Sequence, residues 1–99
     1  MQTVDDEFSK RADAHIHLSN DQISEEAGIG KVSASQMYAS ARFNAWVSAC
    51  NCDSGKEMSE AKAETLEYFV NEYSRMLEDN LDEYIANFES YMKMSNNKG

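Results

Sequence analysis

The hydrophobic and polar positions along this chain repeat with the period of an α-helix. The clearest repeat lies in the C-terminal half, where ten apolar side chains fall within roughly 120° of one another on a 3.6-residue wheel. No stretch alternates with period two for long enough to predict a strand. The pattern therefore predicts an all-α fold with one long apolar stripe. The stripe consists of Leu66, Phe69, Val70, Tyr73, Met76, Leu77, Leu81, Tyr84, Phe88 and Tyr91.

Two glycine-containing segments divide the chain into three long helices. The first is predicted from about residue 5 to residue 26, because acids at its start complement the helix dipole and Gly28 suits the position just past its end. The second begins near Ser33, which forms a capping box with Gln36, and ends near Cys52. Apolar or small residues on two sides of the second helix predict that it packs on both sides.

The third helix is predicted to start near Ser54, where Glu57 completes another capping box. A single helix over residues 56–93 would span roughly 55 Å, whereas the first two helices are each roughly 30 Å long. The chain therefore either bends near Asn80 and forms a fourth helix, or a second protomer covers the overhanging stripe, because such a patch is rarely left in water. The overhang favours a homodimer.

These elements predict an antiparallel bundle of three long helices, with a possible fourth helix after the bend. A chain of 99 residues is long enough for one modest core. We therefore expect a single domain over residues 1–99, with an ordered core of about residues 6–92 and short flexible ends.

The charge distribution narrows the class of partner. The net charge of −9 comes from two acidic flanks, residues 1–27 and 59–99, around a nearly neutral middle segment. Nucleic-acid binding requires clustered Lys and Arg, which this chain lacks, and no apolar run is long enough to span a membrane. We therefore expect no nucleic-acid or membrane partner, and a basic protein is the favoured charged partner.

The sequence also predicts a cytoplasmic location. The acidic segment "MQTVDDEF" lacks the apolar region of a secretory signal. The two cysteines, Cys50 and Cys52, stand two residues apart in "ACNC", too close together to form the disulfide framework of a small secreted domain.

Candidate chemistry is sparse in this sequence. His15 and His17 lie about 200° apart on a helix, so they cannot share a metal ion. His15 falls on the apolar face and is interpreted as a core histidine. The pair Cys50 and Cys52 lacks the Cys-x-x-Cys spacing of zinc and redox motifs. No catalytic residue, cofactor or metal ligand is predicted.

The second helix carries the strongest candidate surface. Arg42 lies on the same flank as Trp46, four residues on, where the guanidinium can lie against the indole. Asn44 lies on a different flank. One interpretation is that Arg42 and Asn44 are buried polar groups that fix the packing of a crowded helix. The other is a binding surface built on Tyr38, Arg42 and Trp46, residue types favoured at interfaces.

Three segments, "RADAHIHLSN", "MYASARFNA" and "MLEDNLDEYI", carry a resemblance to a known family. Over roughly residues 8–92 the chain resembles a family of small bacterial proteins built from a domain of unknown function. Trp46 stands where the resemblance leads us to expect Phe, and the resemblance does not lead us to expect the His15–His17 pair. The resemblance implies a bacterial, cytoplasmic, all-helical protein, and it assigns no catalytic residue, ligand or partner.

Three function hypotheses follow from the sequence. The first is a non-enzymatic interaction or regulatory module that works through a helical surface. The second is a small-molecule-binding or metal-dependent enzyme with a polar pocket inside the bundle. The third is an acidic mimic of nucleic acid, which would require a phosphate-like array of carboxylates that the helical spacing does not predict.

Overall fold

The computed structural model describes the backbone of residues 5–98 and the side chains of residues 5–93. Within this part of the chain there are five α-helices and no strand, which confirms the all-α prediction. The helices are α1 (Phe8–Gln22), α2 (Ile29–Cys50), α3 (Gly55–Glu60), α4 (Lys62–Ala86) and α5 (Phe88–Lys98). The flexible ends predicted for the chain lie mostly outside the described residues.

The chain forms two compact units, Met1–Asn51 and Cys52–Gly99. The first unit contains α1 and α2, and the second contains α3, α4 and α5. The antiparallel three-helix bundle and the single domain expected from the sequence stay predictions.

Helix α1 is shorter than predicted at both ends. Asp5 accepts a hydrogen bond from the Glu7 amide at 2.9 Å and forms an ion pair with Arg11 at 3.2 Å, so the first acids form a turn before the helix. The hydrogen bond from Arg11 holds the pKa of the Asp5 carboxyl below its usual value. Helix α1 ends at Gln22, because Ile23 adopts an extended conformation with ψ of 128°.

Helix α2 begins four residues earlier than predicted. Gly28, expected just past the end of the first helix, is the N-cap of α2. Ser33 therefore lies inside the helix, and its predicted capping box with Gln36 is wrong. The Gln36 side chain instead donates a hydrogen bond to Ser19 Oγ at 2.9 Å, which connects α2 to α1. Val32, 6% exposed, is the one buried apolar side chain among the described residues.

Ser54 is the N-cap of α3, which confirms the predicted helix start and the serine half of the capping box, while Glu57 binds the amide of Asp53 and not that of Ser54. The Glu57 amide donates a hydrogen bond to Ser54 Oγ at 3.1 Å, and Glu57 Oε1 accepts one from the Asp53 amide at 2.7 Å. The first bond pairs a helix donor that has no partner within the helix, and the second holds the residue before the N-cap against the first turn. The helix ends after six residues because Ala61 leaves the helical conformation, with φ of −93° and ψ of 1°.

The third predicted helix is divided at different positions from those expected. Helix α4 continues through Asn80, so of the two alternatives left open by the sequence, the bend near Asn80 is wrong. The Asn80 side chain donates to the Met76 carbonyl at 2.8 Å, one turn back, instead of capping a new helix. The break between α4 and α5 occurs at Asn87, with φ of −121° and ψ of 30°. Its side-chain amide donates to the Glu83 carbonyl at 3.0 Å.

Candidate interaction surfaces

One exposed surface lies on α2 and is formed by the residues that the sequence singled out. Tyr38 is 67% exposed and Trp46 is 60% exposed, and Arg42 lies exposed between them. We call this the α2 face. Its shallow groove is lined by Tyr38, Ala39, Arg42, Phe43, Ala45 and Trp46. Large aromatic side chains around small ones and an arginine are typical of protein–protein contact surfaces.

The environments of Arg42 and Asn44 differ. Arg42 is exposed and Asn44 is half-buried, and within the first unit no described carboxylate lies within 4.0 Å of the Arg42 guanidinium. The two side chains lie on different sides of α2, so they do not form one site. A buried arginine requires a paired carboxylate, and Arg42 has neither burial nor a partner in its unit. This arrangement favours the binding-surface interpretation for Arg42.

Phe43 is a member of the α2 face that sequence reasoning missed. Its ring centroid lies 5.5 Å from that of Trp46, with the planes tilted by 40°. Such aromatic pairs contribute roughly 0.5–1.5 kcal/mol beyond the area that they bury. The signal was present in the sequence, because residues three apart are neighbours on a helix.

The histidines and cysteines form no cluster in the described part of the chain. His15 is exposed, so its predicted core position is wrong within its unit, and His17 is exposed as well. Cys50 is exposed, Cys52 is half-buried and both are free thiols. Among the described residues no three His, Cys, Asp or Glu side chains stand close enough to hold a metal ion together.

A second exposed surface runs along α4 into α5. Most members of the predicted stripe are exposed, while Phe69 is half-buried. We call the exposed set the α4 stripe, and its nine side chains are between 37% and 60% exposed. They are Leu66, Val70, Tyr73, Met76, Leu77, Leu81, Tyr84, Phe88 and Tyr91. No described side chain of the second unit is buried.

Tyr91 connects the two helices that carry the α4 stripe. Its ring stacks on Tyr84 across the break at Asn87, with centroids 4.5 Å apart. Its hydroxyl donates a hydrogen bond to Glu83 Oε2 at 2.6 Å. This hydrogen bond raises the pKa of the Tyr91 hydroxyl above its ordinary value, because ionisation would place two negative charges together.

The flank of α4 that borders Met76 is acidic. Glu72, Asp79 and Glu83 recur there at a spacing of seven and then four residues, which places them on one side of the helix. Glu72 forms an ion pair with Arg75, whereas Asp79 and Glu83 have no cationic partner among the described residues of their unit. Asp79 and Glu83 belong to the acid cluster Glu78–Glu83, which the sequence alone suggests as a solvated face and a surface for a basic partner.

Glu83 is the member of the acidic flank that lies nearest to the α4 stripe. At about 100° per residue, it lies roughly 100° from the centre of the stripe, whereas Asp79 lies roughly 140° from it. The Tyr91 hydroxyl binds Glu83 Oε2, which orients the carboxylate and leaves its charge without a cation. A fixed carboxylate at the border of an apolar surface is suited to bind an arginine.

The charges of α2 and α4 are opposite. Residues 29–50 of α2 contain two bases and no acid, a net charge of +2, whereas residues 62–86 of α4 contain seven acids and two bases, a net charge of −5. In a chain with a net charge of −9, α2 is therefore a locally positive element.

No helix in the described part of the chain is both long and apolar enough to cross a bilayer.

Taken together, the helices and their two exposed surfaces define a small acidic all-helical protein. The model of a family described as "Protein of unknown function (DUF3144)" matches residues 8–85. The chain belongs to the DUF3144 family, which confirms the resemblance seen in the sequence and assigns no function.

A solved relative shares the fold. The chain is similar to the protein NB7890A from Shewanella sp, whose structure was determined by NMR, with 35% sequence identity and a TM-score of 0.75. The match covers 94% of this chain and 98% of the relative. No curated protein matches the chain significantly.

Proposed function

We propose that this protein is a helical interaction module that forms a homodimer through its α4 stripe. The observation that carries the proposal is that nine of the ten side chains of the predicted stripe are exposed within their unit. Apolar patches larger than a few hundred Å² mark interaction sites on soluble proteins. A bacterial, cytoplasmic setting is part of the proposal, supported by the relative from Shewanella sp and by the family resemblance.

The size of the α4 stripe fits a dimer. A fully exposed aromatic side chain offers roughly 150–250 Å² and an aliphatic one less, so the four aromatic and five other apolar members at about half exposure together offer on the order of 800 Å². A standard stable interface covers about 800 Å² per partner. The stripe therefore supplies enough surface for a specific dimer.

Coverage by a second copy would also stabilise the fold. The described side chains include a single buried apolar residue, Val32. Small domains bury a smaller share of their surface than large ones do and are correspondingly marginal in stability. A second copy that covers the α4 stripe adds roughly 25 cal/mol for each Å² of apolar surface removed from water.

Sedimentation velocity over a wide concentration range tests the proposal. The wild-type chain is expected to be dimeric, and Leu77→Glu is expected to shift it to monomer because the new carboxylate enters the centre of the stripe. Asn71→Glu is the matched control, since Asn71 lies on the polar back of α4 and the variant carries the same added charge. It should remain dimeric.

The proposal fails if the wild-type chain is monomeric at every concentration, or if Leu77→Glu and Asn71→Glu dimerise equally well. Far-UV circular dichroism checks that both variants remain helical. Leu81→Ala is a milder second variant, which removes apolar surface without adding charge. It should weaken the dimer by about tenfold, since truncating a well-covered interface residue costs more than roughly 1 kcal/mol.

A further inference from the structure

We propose that, in the dimer, the α2 face of one copy packs against the α4 stripe of the other, with Arg42 paired to Glu83 of the second copy. This inference rests on the proposed homodimer and identifies which surface covers the stripe. In a dimer with twofold symmetry, a contact between two different surfaces occurs twice, because each copy presents both surfaces to the other. Two α2–α4 contacts would therefore form in each dimer.

Charge complementarity favours the α2 face as the occupant of the stripe. Helix α2 has a net charge of +2 with no acid, and α4 has a net charge of −5. Two α4 stripes placed against each other would bring their acidic flanks together, and like charges juxtaposed at an interface oppose association. The α2 face avoids this repulsion and supplies a cation.

Arg42 and Glu83 are the charged side chains best placed to pair between the two surfaces. Arg42 is exposed on the α2 face, with no carboxylate in its unit within 4.0 Å. Glu83 borders the α4 stripe without a cationic partner among the described residues of its unit. The Tyr91 hydroxyl holds Glu83 through Oε2 alone, so Oε1 is available to the guanidinium of a second copy.

Shape and length agree with the pairing. The α2 face places Ala39 and Ala45 among its aromatic side chains, and small residues leave space for large side chains of a facing helix. The stripe supplies such side chains in Tyr73 and Tyr84. The 22 residues of α2 and the 25 residues of α4 span roughly 33 and 37 Å, so the two helices match along most of their lengths.

A charge-swap experiment tests the inference. Arg42→Glu and Glu83→Lys are made singly in the full chain, and dimerisation is measured by sedimentation velocity. Each variant alone is expected to dimerise at least tenfold more weakly than the wild type, because both contacts in its homodimer place like charges together. An equimolar mixture is expected to recover wild-type dimerisation. In the mixed dimer, one α2–α4 contact brings the substituted residue 42 of one chain against the substituted residue 83 of the other, so opposite charges meet there again. The other α2–α4 contact retains the native Arg42–Glu83 pair.

The mixture identifies which chain supplies the contact. If the two residues met within one chain, the mixture would not recover and only the double variant would, which would overturn the inference. Asp82→Lys is the matched control. It makes the same charge change at the neighbouring residue, which lies on the polar back of α4, so it should not restore dimerisation when mixed with Arg42→Glu.

The failures of the two proposals are distinguishable. A wild-type chain that never dimerises refutes the proposed function itself. A wild-type dimer whose affinity changes less than twofold in Arg42→Glu and in Glu83→Lys leaves the homodimer standing and overturns the inference.

A neutral pair of variants keeps the inference testable if circular dichroism shows that a reversed variant is unfolded. Arg42→Gln and Glu83→Gln then replace the reversals, and Glu83→Gln retains an oxygen that can accept the Tyr91 hydroxyl. Coupling between the two substitutions in a double-mutant cycle supports the pair. A cycle without coupling overturns it.

Discussion

Ser54→Ala is expected to destabilise the second unit through the start of α3. Ser54 Oγ accepts the Glu57 amide at 3.1 Å, and the substitution leaves that donor without its partner. Replacing a serine N-cap with alanine costs roughly 0.5–2 kcal/mol, typically about 1. Because the cap is exposed, water can replace part of the lost hydrogen bond, and we expect a loss of about 1 kcal/mol in the free energy of unfolding.

The loss is large enough to measure. In a domain of 60–100 residues, about 1 kcal/mol lowers the melting temperature by roughly 4–8 °C. Thermal unfolding followed by far-UV circular dichroism is the assay, with all chains at the same concentration, because the melting temperature of a dimer depends on concentration. Urea titration provides an independent value for the change in free energy.

Two further variants determine whether the cap itself is responsible. Ser59→Ala makes the same chemical change inside α3, at an exposed position, and should change stability by less than about 0.5 kcal/mol. Ser54→Asp retains a good N-cap and should restore most of the wild-type stability. The reasoning is refuted if Ser54→Ala melts within about 1 °C of Ser59→Ala, or if Ser54→Asp is no more stable than Ser54→Ala.

Val32 and Tyr91 offer two further tests. Val32→Ala should lower the free energy of unfolding by roughly 1–3 kcal/mol, measured by urea titration, because it removes the one buried apolar side chain among the described residues; Val47→Ala, at an exposed position of the same helix, should cost less. The hydrogen bond to Glu83 raises the pKa of Tyr91 above its ordinary value of 10.0. The stability that this hydrogen bond contributes is therefore complete below about pH 10, and it is lost as the pH rises through the raised pKa. Hydrogen exchange should show α5 opening more readily above that pH, and Tyr91→Phe should remove this dependence while retaining the stack on Tyr84; an unchanged dependence in Tyr91→Phe would contradict it.

The sequence predicted the helical content well and the helix boundaries less well. The stripe from Leu66 to Tyr91 keeps a single phase, so it indicates helix but does not reveal the interruptions at Ala61 and Asn87. Neither interruption contains glycine or proline, and alanine is the best helix former. Backbone hydrogen bonds of the helical i→i−4 type continue across both positions, so the breaks are local changes of φ and ψ at Ala61 and Asn87, which the apolar pattern does not mark.

The glycine and capping signals did not always distinguish the end of one helix from the start of the next. Gly28 suits both the end of one helix and the start of the next, and it was predicted at the end. Ser54 was interpreted correctly as the start of α3, since its Oγ accepts the Glu57 amide. Ser33 with Gln36 has the same spacing, yet four residues of helix precede it, and the Gln36 side chain bonds to Ser19 of α1 instead of closing a capping box.

The residues of the candidate surface could be predicted from the sequence, whereas their exposure could not. Tyr38, Arg42 and Trp46 share a flank by helical spacing alone, and the structure describes them as exposed together. Their exposure could not be derived from spacing, because the same residue types at the same spacing also form buried cores. For that reason His15, assigned to a core from the same kind of evidence, is found exposed. The expected basic protein partner stays a prediction.

The two exposed surfaces raise the question of how copies of such a chain would avoid indiscriminate association before the proposed dimer forms. Uncovered apolar stripes promote indiscriminate association, whereas a net charge of −9 makes approaching copies repel each other. The repulsion is strongest between two α4 helices and weakest where α2 approaches α4, since α2 has no acid. An acidic chain with one locally positive helix therefore disfavours most encounters between copies and favours the one in which Arg42 meets Glu83. In such a dimer the polar residues select the orientation, and the apolar stripe supplies most of the affinity.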